Sequence, residues 1–199
     1  MFARGSNITR SVFKTELRLH GLFSDPSIPR QIAREEYHHG SLVLPATFEP
    51  QKERLSRTIN FFNGAIHTGV TELCAALDIN IPELGDDPTI PSDTGLKLVY
   101  KAPLEEPGCV IHPWHTDGGL ATLLWNDEVM TQIPVYDKEG RQTEDWETVP
   151  VINGTVLINI ADELAAKSGR RLHSPVHRVV NPPGPKTEWN GVVYLLRPY

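Results

Sequence analysis

The chain of 199 residues lacks the cysteine content, the long apolar runs and the basic clusters of disulfide-rich, membrane-spanning and nucleic-acid-binding proteins, respectively. It contains only two cysteines, Cys74 and Cys109, which are too few for a disulfide framework and indicate a reducing compartment. No apolar run approaches the roughly 20 residues of a membrane-spanning helix, and the amino terminus has no hydrophobic signal core. The net charge is -6, and no Lys/Arg block could follow a phosphate backbone. We therefore expect a soluble, cytoplasmic protein with no nucleic acid and no membrane among its partners.

What the chain does contain indicates one domain rich in turns and short strands. Its hydrophobic fraction is 39% and its charged fraction 22%, and its 17 prolines and 15 glycines favour turns over a helical bundle. Residues 1–50 have no sustained periodicity and are interpreted as an irregular segment, with a short helix predicted at 28–40. Residues 51–199 are predicted to form the domain itself.

A long amphipathic helix is predicted over residues 54–79. Apolar side chains recur in this segment at spacings of three and four residues, at Leu55, Ile59, Phe62, Ile66, Val70, Leu73 and Leu77. Such a stripe suits a helix that lies across a sheet, and Cys74 falls on its buried face.

Eight short apolar runs follow Gly95, separated by the turn-forming residues Pro, Gly, Asp and Asn. They are LKLVY, CVIH, LATLLW, MTQIPVY, ETVPVI, GTVLINIA, HSPVHRVV and GVVYLLRPY. Short strands at regular intervals are typical of a β-sandwich or jelly roll. The predicted fold is therefore mainly β with flanking helices, a jelly roll packed against the long helix.

The segment HPWHTDGGLATLL, residues 112–124, carries the residues with the clearest chemistry. His115 and Asp117 are two positions apart, and on an extended strand such side chains leave the same face, so both can reach one ion. A third ligand has to come from elsewhere, and RLHSPVHRVV offers His173 and His177. Two histidines and one carboxylate on one face of a metal leave the opposite face open, which is the geometry of non-haem Fe(II) oxygenases.

Five segments make the chain from about residue 50 to its end resemble the isopenicillin N synthase-like group of Fe(II)/2-oxoglutarate-dependent dioxygenases. In order they are LKLVYKAP, HTDGGLATLL, VPVINGTVLINIADEL, SGRRLHSPVHRVVNPPG and VVYLLRPY. The resemblance implies a double-stranded β-helix in which His115, Asp117 and His177 are the catalytic iron ligands, while His173 is not a ligand. It also implies Fe(II) and 2-oxoglutarate as cofactors, and dioxygen and a small molecule as substrates, with 2-oxoglutarate decarboxylated to succinate.

Residues around this site are expected to support it. Each imidazole needs a partner that fixes its tautomer, and Asn159 or Asp162 in LINIADEL is a candidate. For Asp162 a turn cap is the alternative. His112 precedes the motif and is interpreted as a loop histidine near the pocket mouth. Arg178 directly follows His177 and should point to the opposite face of its strand.

The sequence departs from the family where 2-oxoglutarate binds. Family members carry Arg-x-Ser on the last core strand, and an alignment anchored on VVYLLRP places Trp189, Asn190 and Gly191 at these positions. Arginine suits a carboxylate because its planar fork pairs with both oxygens. Tyr100 matches a family tyrosine that touches the cosubstrate, whereas Lys186 is nearby but out of register. The predicted cosubstrate site is thus Tyr100, Trp189 and Gly191, and it should bind 2-oxoglutarate poorly unless another cation substitutes.

Three functions stay open at this point. The first is an oxygenase that hydroxylates, desaturates or cyclises a small molecule, as in secondary metabolism. The second is a truncated or degenerate homologue that binds metal without turning over 2-oxoglutarate, since relatives typically carry a further amino-terminal region. The third is a zinc hydrolase with the same ligands, which is disfavoured because no glutamate base stands at a recognisable spacing.

Overall fold

Two antiparallel β-sheets and one long helix are the main elements in the part of the chain that the computed structural model describes. The described residues are 3–4, 31–33, 44, 46, 48–84, 92–101, 107–126, 131–152, 154–182 and 189–198. In chain order the elements are β1 (Ala3–Arg4), β2 (Gln31–Ala33), a 3-10 turn (Glu49–Gln51), α1 (Lys52–Ala76), a second 3-10 turn (Pro82–Leu84), β3 (Gly95–Lys101), β4 (Val110–His115), β5 (Ala121–Asn126), β6 (Thr131–Tyr136), β7 (Gln142–Thr148), β8 (Thr155–Ile160), α2 (Asp162–Lys167), β9 (His177–Val180) and β10 (Trp189–Leu196).

Helix α1 is the predicted long helix, shifted slightly towards the amino terminus. Its buried residues are Ile59, Phe62, Ile66, Val70 and Cys74. The apolar stripe thus continues through Cys74 rather than Leu73, because a helix with 3.6 residues per turn drifts past a strict spacing of three and four. The helix ends before Asp78, which adopts a left-handed φ of 52°. Of the helices that the structure describes, none combines the length and apolar character needed to cross a bilayer.

The larger sheet contains six strands in the order β1-β8-β5-β10-β3-β2. Side chains alternate between the two faces of each strand, so directly paired residues share a face. One face packs against α1 and forms the core, which includes Leu96, Leu98, Leu123, Val192 and Tyr194. The Tyr194 hydroxyl donates a hydrogen bond to Asn63 Oδ1 at 3.0 Å and so ties the last strand to the helix.

The smaller sheet contains four strands in the order β4-β9-β6-β7. Together the two antiparallel sheets form the predicted jelly roll. One predicted strand is misplaced: the apolar run ETVPVI lies largely beyond β7, and Val151 and Ile152 are 44% and 43% exposed. The strand is instead the polar segment Gln142–Thr148, because the turn after β6 sets its position. In that turn Asp137 Oδ1 accepts the backbone N–H groups of Glu139 and Arg141 at 2.9 Å each.

The predicted helix at residues 28–40 is wrong over the three positions that the structure describes. Gln31–Ala33 form strand β2, which pairs antiparallel with β3, with Gln31 opposite Lys97. A sheet edge offers hydrogen-bond partners that a local pattern cannot reveal. The other residues of that predicted helix lie outside the described part of the chain.

Candidate metal centre

Two imidazoles come together because their strands are neighbours in the smaller sheet. Strands β4 and β9 pair antiparallel, and His115 stands directly opposite His177. Directly opposed residues project from the same face, so the two rings lie 4.3 Å apart between centroids. His177 is buried, with only 8% of its surface exposed, whereas His115 is partly accessible.

Asp117 completes a cluster that we call the His-Asp-His cluster, formed by His115, Asp117 and His177. Asp117 Oδ1 lies 3.8 Å from His115 Nε2 and 3.7 Å from His177 Nε2. One ligand atom from each of the three residues lies within 4.8 Å of the others. Two atoms about 3.8 Å apart can both lie about 2 Å from one ion, the usual distance for imidazole and carboxylate ligands. The cluster therefore has the donor set and the spacing of a metal site.

The backbone fixes which nitrogen of each imidazole is free. His115 Nδ1 lies 2.9 Å from the carbonyl oxygen of Pro113, and His177 Nδ1 lies 3.1 Å from that of Pro175. A carbonyl can only accept, so each Nδ1 carries a hydrogen, and Nε2 is the ring nitrogen that faces Asp117. The same pattern, Pro-x-His, thus occurs at both histidines, in PWH and PVH. The ligand prediction made no use of this sequence signal.

This finding corrects the predicted role of Asn159 and Asp162, neither of which bonds to an imidazole. Asn159 Nδ2 instead donates to Asp117 Oδ2 at 3.4 Å, a long hydrogen bond that orients the carboxylate. Asp162 Oδ2 accepts the Thr116 hydroxyl at 2.9 Å. Both side chains therefore hold the segment that carries Asp117, and the histidines are oriented locally.

Helix α2 holds the loop after β4 through its first backbone N–H groups. The N–H groups of Asp162 and Glu163 donate to the carbonyl oxygens of Asp117 and Gly119, each at 2.9 Å. The free N–H groups at the start of a helix need such acceptors. Because these bonds act on the backbone of Asp117, they fix the position from which its carboxylate projects.

The Gly-Gly pair after Asp117 allows Arg197 to pack closely against the loop. Gly119 has a φ of 94°, and a Cβ atom there would lie 2.7 Å from Arg197 Cδ and 2.8 Å from the carbonyl oxygen of Leu196. Only glycine combines this backbone conformation with so little space. The end of β10 is thereby packed directly against the metal-site loop.

The neighbouring cationic and imidazole side chains take other positions. His112 is exposed and its ring lies 4.2 Å from that of His115, while His173 is exposed and outside the cluster. Arg178 points away from the cluster, as expected from strand alternation: its Nε donates to Gln132 at 2.9 Å, and its guanidinium lies 4.1 Å from the ring centroid of Trp146.

The predicted cosubstrate positions are described only in part. Gly191 is buried on β10, where it pairs with Val99 and with Asn126. The backbones of Trp189 and Tyr100 lie in the same pair of strands, but their side chains, and all of Lys186, fall outside what the structure describes. Their assignment to 2-oxoglutarate stays a prediction.

A model of the 2OG-Fe(II) oxygenase superfamily matches residues 93–195, more than half of the chain and the part that holds the whole His-Asp-His cluster. The chain belongs to this superfamily. The family predicted from the sequence motifs is thereby confirmed. The cofactors that the superfamily's name gives, Fe(II) and 2-oxoglutarate, are the predicted ones, and the cluster offers the two imidazoles and one carboxylate that suit this iron.

Two curated proteins similar to this 2OG-Fe(II) oxygenase domain are named for different small molecules. Homoarginine-6-hydroxylase 2-ODD-C23 of Glycine max is 39% identical over 67 residues, 34% of this chain and 19% of that protein. Kihadalactone A synthase LFS of Citrus sinensis is 27% identical over 145 residues, 69% of this chain and 41% of that protein. The chain thus spans less than half the length of either relative.

A solved structure of a full-length Neurospora crassa protein, crystallised in complex with alpha-KG, shares the fold. Its TM-score is 0.64 at 22% sequence identity, and the match covers 84% of this chain and 53% of that chain. The fold-class prediction is therefore confirmed for the 2OG-Fe(II) oxygenase domain.

Proposed function

We propose that the chain is an Fe(II)- and 2-oxoglutarate-dependent oxygenase of a small molecule, with His115, Asp117 and His177 as its iron ligands. The observation that carries this proposal is the convergence of three ligand atoms within 4.8 Å of one another. They come from two segments 60 residues apart in the chain, and membership of the superfamily adds independent support. Iron bound there supplies the activation of dioxygen that is coupled to decarboxylation of 2-oxoglutarate.

The contribution of the chain's own residues is to keep this ligand set ready. The carbonyls of Pro113 and Pro175 hold Nδ1 of the two histidines, so both imidazoles bind as neutral Nε2 donors. Asn159 and the backbone of α2 hold Asp117 in place. Three protein ligands on one side of an ion leave further coordination positions for a cosubstrate and dioxygen.

We further propose a substrate of secondary metabolism and a cytoplasmic location. The names of the relatives, a homoarginine hydroxylase and a kihadalactone A synthase, support a small organic substrate. The low cysteine content supports a reducing compartment. Hydroxylation, desaturation and cyclisation are all compatible with the same iron centre.

A second function is favoured by one feature, the replacement of Arg-x-Ser by Trp189, Asn190 and Gly191. A chain without any cation for the distal carboxylate would bind metal but not turn over 2-oxoglutarate. The two functions differ in whether 2-oxoglutarate reaches the iron.

The test is an anaerobic titration of 2-oxoglutarate into the Fe(II)-loaded protein, followed by exposure to air. The proposed function predicts a visible charge-transfer band and release of succinate, both lost in His177→Ala and both retained in the control His173→Ala. A protein that binds Fe(II) but shows neither band nor succinate would support the second function instead. Activity with zinc and none with iron would contradict both.

A further inference from the structure

The face of the larger sheet opposite α1 lines the interior of the jelly roll. Strand alternation places Lys97 and Val99 of β3 on this face, because Leu96 and Leu98 belong to the core on the other face. The pairing of β3, β10, β5 and β8 continues the same rows across the sheet. Lys97 stands opposite Val193, Val193 opposite Leu124, and Leu124 opposite Leu157.

The His-Asp-His cluster lies on this same side of the sheet. Asn159, two residues beyond Leu157 on β8, projects from the inward face and reaches Asp117. Its pairing partner Thr122 is buried, with 3% of its surface exposed, and its hydroxyl has no hydrogen-bond partner among the residues that the structure describes. A buried polar atom of this kind marks a place where a bound ligand or water can be accommodated.

Lys97 brings a positive charge to an otherwise apolar row of the inner surface. Its neighbours in the row are Val193, Leu124 and Leu157, all partly buried. Lys97 is itself partly buried, and it forms no hydrogen bond or ion pair in the part of the chain that the structure describes. A second lysine of β3, Lys101, stands opposite Trp189, and its side chain lies outside what the structure describes. A positive charge beside these apolar side chains favours an anionic ligand.

The separation between Lys97 and the cluster suits a dicarboxylate. Strands β8, β5, β10 and β3 are consecutive in the sheet, so Lys97 lies three strands from Asn159, about 14 Å at the usual strand spacing. Along the strands Lys97 is also offset from Asn159 by two residues. Asn159 aligns through Thr122 with Leu195 of β10, whereas Lys97 aligns with Val193. The four-carbon stem of lysine covers part of this gap, and the ligand covers the rest.

We propose that the Lys97 ammonium binds the distal carboxylate of 2-oxoglutarate and so takes the place of the arginine that Trp189 replaces. This inference rests on the proposed function, because it presupposes that 2-oxoglutarate binds at the His-Asp-His cluster. A lysine offers a point charge rather than a planar fork, so it provides charge with less geometric selection than arginine does. The cation comes from β3 rather than from the last strand.

The test compares two ligands that differ only in the distal carboxylate, 2-oxoglutarate and 2-oxopentanoate. Their dissociation constants are measured by anaerobic calorimetry on the Fe(II)-loaded protein, without turnover. We expect the unaltered chain to prefer 2-oxoglutarate by about 10- to 100-fold, the range of a charge-assisted hydrogen bond. Lys97→Met should remove this preference by weakening 2-oxoglutarate alone. Lys97→Arg should retain much of it, and Lys138→Met, at an exposed turn, should change nothing.

Each outcome has a distinct meaning. If the unaltered chain binds 2-oxoglutarate no better than 2-oxopentanoate, Lys97 has no carboxylate to bind and the inference is overturned, whether or not Lys97→Met folds. If the preference exists but survives in a Lys97→Met protein that still binds Fe(II), another cation binds the carboxylate and only this inference fails. If the unaltered chain binds Fe(II) but neither ligand, the proposed function fails together with it.

Discussion

The two sheets of the molecule have different tasks. The larger sheet packs its core face against α1, and there Leu96, Leu123, Val192 and Tyr194 are fully buried. The smaller sheet has an accessible outer surface, including Trp114 at 69% and Val110 at 50% exposed, yet two of its strands supply both histidines of the cluster. Burial of apolar area, the main source of stability, is thus concentrated in one sheet, and the two histidines of the cluster lie in the other. The comparison indicates that stability and metal affinity can be altered separately.

The largest expected effect is on metal binding, through Asp117→Ala. Removing the carboxylate leaves two imidazoles that cannot hold the ion alone, so Fe(II) affinity should fall by at least about 100-fold. The melting temperature of the metal-free protein should change little, because functional groups are seldom placed for stability. Anaerobic calorimetry and thermal unfolding measure the two quantities. Unchanged Fe(II) affinity in this variant would contradict the assignment of the cluster.

Ile66→Ala is expected to do the opposite, lowering the stability of the fold while leaving Fe(II) affinity nearly unchanged. Ile66 is fully buried between α1 and the larger sheet, so truncation leaves a cavity and should lower the free energy of unfolding by about 2–5 kcal/mol. Fe(II) affinity of the folded protein should stay within a few-fold. Val151→Ala, at an exposed position, serves as the control and should cost less than about 0.5 kcal/mol by denaturant titration. Equal losses in the two variants would refute the proposed location of the core.

Gly119→Ala should affect both properties, because Gly119 joins the metal-site loop to the end of the larger sheet. The added Cβ meets the Leu196 carbonyl in a left-handed conformation, which should cost about 1–3 kcal/mol and displace Asp117. Gly64→Ala is the matched control: nothing lies within 4 Å of its Cβ position in α1, and it should stabilise the protein by about 0.5–1 kcal/mol. Unfolding curves and Fe(II) titration of both variants test this link.

The smallest effect is expected in the turn between β6 and β7. The backbone N–H of Arg141, with further hydrogen bonds from its side chain and from Glu139, lowers the pKa of Asp137 below its ordinary value. The ionised carboxylate therefore stabilises the fold above its unfolded pKa, and this contribution is lost as the pH falls through the lower folded pKa. Asp137→Asn should lower the melting temperature slightly at pH 7, and the difference should shrink towards pH 3. A difference that grows on acidification would contradict the stated origin.

The elements that were predicted well are those whose side chains follow a local period. Helix α1 carries an apolar residue on every turn, and most strands contain compact apolar runs, so both could be recognised from the sequence alone. The polar strand Gln142–Thr148 could not, because its hydrogen bonds depend on the turn at Asp137 and not on its own hydrophobicity. Strand β2 was missed for a related reason, since its partner β3 is distant in the chain.

The candidate site divides in the same way. The spacing of His115 and Asp117 predicts two of the three residues of the cluster. The resemblance to the family selects His177 over His173 as the third. The supporting contacts were assigned to the wrong residues, because the histidines use backbone carbonyls, which leave only the faint Pro-x-His pattern in the sequence. A role for Lys97 could not be predicted from the segment LKLVY, because the face on which Lys97 lies depends on the register with Val193 and Leu124.

His177 and Arg178 project from opposite faces of β9, so ion binding depends on the correct register of this strand. Sliding β9 by a single residue against β4 would turn a guanidinium towards Asp117 and move the imidazole to the outer surface. A misaligned conformer would then offer the ion a repelling charge in place of a ligand. Iron would bind only the molecules with the correct register and would shift the equilibrium towards them. The cation needed for the reaction would thus also favour the native strand pairing.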